Sequence, residues 1–180
     1  GNLGFFFAFQ VLPTIIFFAS LMSVFYYLGI MQKIVQAMAL VMAKVMGTSG
    51  AESLSCTANI FVGQTEAPLM IKPFIKGMTQ SELLTIMIGG MATIAGGVMA
   101  AYIQMLGSAY ATAHGIPLIE AQQMFATQLL GASVMAAPGA MMIGKILIPE
   151  TAESETKGSV KVSIEKKSSN VIEAAANGAS

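Results

Sequence analysis

At 180 residues, 55% of them hydrophobic and 10% charged, with a mean hydropathy of +0.72, the chain lies outside the soluble range, where about a quarter of residues are charged. Nine basic residues balance nine acidic ones, so there is no basic field to hold a nucleic acid, and the single cysteine, Cys56, excludes an internal disulfide or a multi-cysteine metal site. What this composition predicts is an all-α, multi-pass membrane protein whose first partner is the lipid bilayer.

The run from Leu3 to Met31 is uncharged, is longer than a signal-peptide core, and lacks both a basic flank before it and an A-x-A site after it. Residues 1–31 therefore read as a transmembrane helix on the scaffold side of the protein, with Pro13 near its start and aromatic rings near both ends. Residues 32–46 change character. Lys33, Gln36 and Lys44 interrupt Ile34, Val35, Met38, Val41, Met42 and Val45, which recur at spacings of three and four. Too short to cross and too apolar for a free loop, this stretch predicts an interfacial amphipathic helix with its lysines among the headgroups.

Gly47-Thr48-Ser49-Gly50 stops that helix, and Thr48 or Ser49 can cap the next one, with Glu52 as the acid of a capping box. The new helix passes Cys56, read as a packed thiol, reaches Asn59 and breaks at Val62-Gly63-Gln64. Thr65 can cap a second half that has Pro68 in its opening turn. Residues 47–77 thus form two half-helices meeting at a polar tip. The lysines decide whether they cross the membrane: if the segment dips in and returns, all nine fall on one face, the cytoplasmic one. A re-entrant helical hairpin follows, its tip lining a wet cavity. Glu66 at that tip is the residue to explain, because a carboxylate at membrane depth costs about 2.5–3.5 kcal/mol on insertion scales and marks a functional position.

A second capping box, Thr79 with Glu82, opens the transmembrane helix at 78–107. Its small residues, from Gly89-Gly90 through Gly96-Gly97, let another backbone approach closely or let the helix open and expose carbonyl oxygens. Residues 108–120 read as an extracellular loop in which the lone His114 is solvated rather than a metal ligand. A third span at 121–148 carries a kink near Pro138 and a snorkelling Lys145 at its inner end. Residues 149–180 read as a cytoplasmic linker followed by the start of a truncated helix at Asn170. With Gly1 in place of a methionine, the chain reads as a piece of a longer protein.

Five blocks resemble the concentrative nucleoside transporter family: Gly47 to Ser53, Ala58 to Leu69 with its Gly-Gln-Thr-Glu-Ala-Pro core, Met91 to Gly96, Ser133 to Pro138, and Asn170 to Ser180. The resemblance implies a homotrimer in the inner or plasma membrane that imports nucleosides by symport with sodium or, in some bacterial members, a proton, and it implies no enzyme and no cofactor beyond the coupling ion. By the same resemblance, 47–77 is the first of two hairpins and the helix after it is partly unwound near Thr93. Gln64, Thr65 and Glu66 then meet the nucleobase, directly or through water, while sodium lies on Asn59, the carbonyl of Val62, Thr93 and the carbonyl of Ile94. The ribose-binding second hairpin would fall after Ser180 and the first family helices before Gly1. Two other readings stay open. One is a passive channel or structural membrane domain in which Gln64 and Glu66 only bridge helices. The other is an intramembrane enzyme using Glu66, for which the sequence offers no positioned acid or base partner.

Overall fold

The computed structural model describes residues 7–157 and 168–179, which are all-helical. Seven α-helices follow in order: α1 (Phe7–Tyr27), α2 (Ile30–Met46), α3 (Gly50–Ala58), α4 (Gln80–Ala92), α5 (Gly96–His114), α6 (Leu118–Leu147) and α7 (Val171–Ala179). A 3-10 helix, Ala67–Gly77, lies between α3 and α4. Two stretches, Gln80–His114 and Leu118–Leu147, are each long and apolar enough to cross a membrane, and Val11–Tyr27 with Ile30–Met46 qualify as a pair. At 1.5 Å per residue the 30 residues of α6 extend about 45 Å, more than the roughly 30 Å hydrocarbon core. Large apolar side chains such as Phe9, Phe17, Met91 and Ile146 stand exposed on these helices, as lipid-facing side chains do. Gly29, at φ +77°, separates α1 from α2 in a left-handed conformation that suits glycine.

The chain divides into two compact units. The first gathers Gly1–Leu28, Gly96–Ala132 and Lys167–Ser180. Within it α1 packs against both α5 and α7. Thr14 Oγ1 donates to Gln104 Oε1 at 3.1 Å, and Ser20 Oγ donates to the carbonyl of Ala175 at 2.8 Å. Asn170 Oδ1 accepts from the amide of Glu173 at 2.8 Å, an N-terminal cap for α7.

One sequence expectation needs correction in this unit. The loop placed at 108–120 is only Gly115-Ile116-Pro117, because α5 runs on to His114 and α6 begins at Leu118. Residues 108–113 contain no helix breaker, and Thr112 turns its hydroxyl back onto the carbonyl of Ser108 at 2.9 Å instead of competing for the backbone. Termination waits for Gly115, at φ +65°. His114 is therefore an exposed last-turn residue, stacked on Tyr110 with ring centroids 3.8 Å apart.

The second unit gathers Gly29–Ala95 and Ser133–Lys166. Here α2 buries Met31, Val35 and Ala39, one face at spacings of four, leaves Lys33 and Lys44 exposed, and packs against α3. All nine residues of α3 are buried. Both capping boxes form: Ser49 accepts from the amide of Glu52 while Glu52 accepts from that of Ser49, and Thr79 and Glu82 do the same at the head of α4. The 3-10 helix also packs on α3. Its N-cap position is Glu66, not Thr65, and no side chain caps it. Pro73 disfavours α winding here, because its ring would collide with the carbonyl four residues back.

Candidate functional site

α3 ends at Ala58 with Asn59 as its C-cap, and residues 59–66 lead to the 3-10 helix as an irregular turn. Asn59, Ile60 and Val62 are buried, whereas Gln64, Thr65 and Glu66 are exposed. The turn closes on itself. The amides of Glu66 and Ala67 donate to the carbonyl of Gly63 at 3.0 Å, and the amide of Gly63 donates to Glu66 Oε2 at 3.4 Å. Among the described residues no backbone amide donates to the carbonyl of Val62.

A second interruption lies beside the first. α4 stops at Ala92, Thr93 is extended at φ −114° and ψ 163°, and α5 starts only at Gly96, so helix-end carbonyls and amides are released at 93–95. Thr93 Oγ1 donates to the carbonyl of Gly89 at 2.9 Å. With its proton committed there, the hydroxyl keeps its lone pairs for another ligand. Two glycines bring the interruptions together. A Cβ on Gly90 would stand 3.4 Å from Gln64 Cβ and 3.6 Å from Asn59 Nδ2, and one on Gly63 would stand 3.8 Å from the Ala95 side chain. Asn59 and Gln64 therefore adjoin the last turn of α4, and Gly63 adjoins the open segment that carries Thr93 and Ile94.

At the other end of α3 is a polar network that sequence reasoning missed. Glu52, buried to 1% exposure, stands 2.9 Å from Lys145 Nζ, at ion-pair distance but off the angle of an aligned hydrogen bond. Lys145 also pairs with Glu150 at 3.0 Å and donates to Ser81 Oγ at 3.1 Å. The snorkelling expected of Lys145 is thus replaced by a bridge from α6 to the heads of α3 and α4. Sequence marked Glu52 and Glu82 as capping acids, but their partners are remote in the chain and left no local signal. Residues around this network line a cavity of about 520 Å³ that includes Thr48, Glu52, Lys145 and Glu153.

Glu150 lies past the end of α6. Partial burial disfavours its charged form, but hydrogen bonds from Lys145 and Thr79 outweigh that and hold its carboxyl below the usual carboxylate value. A depressed folded-state value means stability that is present above the unfolded value, about 4.3, and is lost as pH falls through the lower, folded one. The gap in melting temperature between the detergent-extracted protein and its Glu150→Gln variant should therefore shrink on titration from neutral pH into the acid range. A gap that stays constant with pH would sink this assignment.

Comparison with known proteins matches the sequence and fold of this chain to a family. A nucleoside-recognition model, Gate, matches residues 8–109, and a model of the Na+ dependent nucleoside transporter C-terminus matches residues 128–180. An uncharacterized transporter of Haemophilus influenzae is 49% identical over 98% of this chain and 38% of its own length. The nucleoside permease NupC of Helicobacter pylori is 48% identical over 98% of this chain and 38% of its own, and sodium/nucleoside cotransporter 2 of Rattus norvegicus is 45% identical over 96% and 24%. The chain thus spans well under half the length of these relatives. Among solved structures, an inward-facing, substrate-bound CNTnw superposes with a TM-score of 0.76 at 46% identity, covering 97% of this chain and 36% of that one. An outward-facing CNTnw variant gives 0.80 at 47%, covering 99% and 39%. Family models over residues 8–109 and 128–180, together with relatives and solved structures at 45–49% identity, lead to one assignment: the chain belongs to the concentrative nucleoside transporter family.

Proposed function

We propose that this chain is the part of a secondary active transporter that holds the nucleobase and the coupling cation during nucleoside import. The observation that carries the reading is the approach of Asn59 and Gln64 to Gly90, which sets an amide-bearing turn against the end of an interrupted helix. Residues 47–77 act as a re-entrant hairpin, with α2 lying at the interface beside it. The amide of Gln64, with Thr65 and Glu66, supplies the donors and acceptors that a base edge requires, as Asn and Gln do in nucleic-acid readers. Sodium, a hard cation, takes Asn59 Oδ1, the Val62 carbonyl, Thr93 Oγ1 and the Ile94 carbonyl, the oxygen-rich type of site that unwound helices provide in transporters. The intact protein works as a homotrimer in the inner or plasma membrane, as the family resemblance implies.

Sodium is preferred to a proton as the driving ion because neither Asn59 nor Thr93 titrates in the physiological range. Glu66 is the group that a proton would use instead. Uptake of labelled uridine by the full-length protein, measured with sodium replaced by choline at fixed pH, should lose its saturable component. Saturable uptake that survives in choline and follows an imposed pH gradient would transfer the coupling to a proton.

A further inference from the structure

Residues 149–157 leave α6 without forming regular structure, yet they are tied down along their length. The carbonyl of Thr156 accepts from the amide of Gly50 at 3.0 Å, and Thr156 Oγ1 accepts from that of Ala51 at 3.2 Å. These are two of the four opening amides of α3 that the helix backbone cannot satisfy, and the capping box takes the other two, that of Glu52 on Ser49 Oγ and that of Ser49 on Glu52 Oε1. Ser154 Oγ donates to Glu82 Oε1, while the other oxygen of that carboxylate holds the Thr79 amide at 2.8 Å. Glu150 Oε2 accepts from Thr79 Oγ1 at 2.8 Å. The Glu155 carboxyl lies against Gly77, the last residue of the 3-10 helix, leaving no room there for a Cβ. One short segment therefore touches the head of α3, the end of the 3-10 helix and the head of α4.

We infer that residues 150–156 form a clasp that sets the angle between the hairpin arms and α4, with Ser154 and Thr156 as positioning residues for the site at the far ends of α3 and α4. The inference rests on the function proposed above. Its lever is geometric. The nine residues of α3 run about 13 Å from clasp to Asn59, so a tilt of about 5° at the base moves Asn59 by roughly 1 Å. A displacement of that size is enough to spoil a site built from converging oxygens. The heads of α3 and α4 carry good caps of their own, so the helices form without the clasp; what they lose is their mutual angle.

The test uses the full-length protein carrying Ser154→Ala with Thr156→Val, which removes two hydroxyls but keeps the carbonyl that holds Gly50. In detergent and without substrate, hydrogen exchange at residues 50–52 should speed up by about tenfold, the loss of one hydrogen bond, while exchange across α5 stays unchanged. In vesicles, the sodium concentration for half-maximal uridine uptake should rise about fivefold or more, with a maximal rate per inserted protein within about twofold of the parent, and Thr156→Ser should restore it. If the double variant does not reach the membrane, Thr156→Val alone, which still removes the acceptor of the Ala51 amide, carries the same two readouts. Unchanged exchange at 50–52 overturns the clasp. Faster exchange with an unshifted sodium requirement overturns the positioning role. A parent protein that shows no nucleoside uptake refutes the proposed function instead, and the exchange measurement still decides the clasp.

Discussion

Gln64→Ala in the full-length protein should lower uridine uptake, at subsaturating substrate and per copy in the membrane, by about 10- to 100-fold. The magnitude follows from leaving the polar edge of a bound base short of its partner, a loss of ~1–3 kcal/mol at about 1.4 kcal/mol per decade. Alanine suits this test because it keeps the Cβ that packs beside Gly90 and removes only the amide. The effect should appear as a raised KM that tracks the base: nucleosides offering different edges should be affected unequally, whereas a packing defect would lower uptake of all of them alike. Uptake indistinguishable from the parent would remove Gln64 from base recognition, and with it the reason for placing Thr65 and Glu66 there.

A large loss of stability is expected at Gly144, where α6 meets α4. A Cβ at that position would stand 2.5 Å from Thr85 Oγ1 and 3.0 Å from Thr85 Cα, and the second of these is backbone that cannot swing aside. Overpacking of this kind costs about 1–3 kcal/mol, so Gly144→Val should lower the melting temperature in detergent by several degrees or prevent accumulation in the membrane. Gly139, about one and a half turns earlier on the same helix, has nothing within 4 Å of its Cβ position, and Gly139→Val is the matched control that should change little. Equal tolerance of both substitutions would mean that α4 and α6 do not meet at Thr85 and Gly144.

How far each feature could be read ahead depended on the span of chain over which its cause acts. Capping boxes operate across three residues, so Ser49 with Glu52 and Thr79 with Glu82 were legible from spacing alone, and both form. The uncharged runs and the change of pattern after Met31 declared helices for the same reason. The extent of α5 is not legible from the pattern, because residues 108–113 hold no breaker and the stop signal is the lone glycine at 115. The winding of the second arm is not legible in the same way: Pro68 in an opening turn fits any helix, and the sequence pattern does not separate a half-helix from the tighter 3-10 form.

Sequence, then, established the membrane class, the order of helices, the two caps and, through a family block around Gln64, which residues to propose for the site. The fold alone decided that Gly90 would touch Asn59 and Gln64, that Lys145 would answer Glu52 instead of reaching for headgroups, and that Thr156 would complete the head of α3. The reason is physical. A buried charge or an orphan amide must find a partner, and that demand is written in the residue itself, but which of many distant candidates satisfies it is settled only when the helices pack and bring one within about 3 Å.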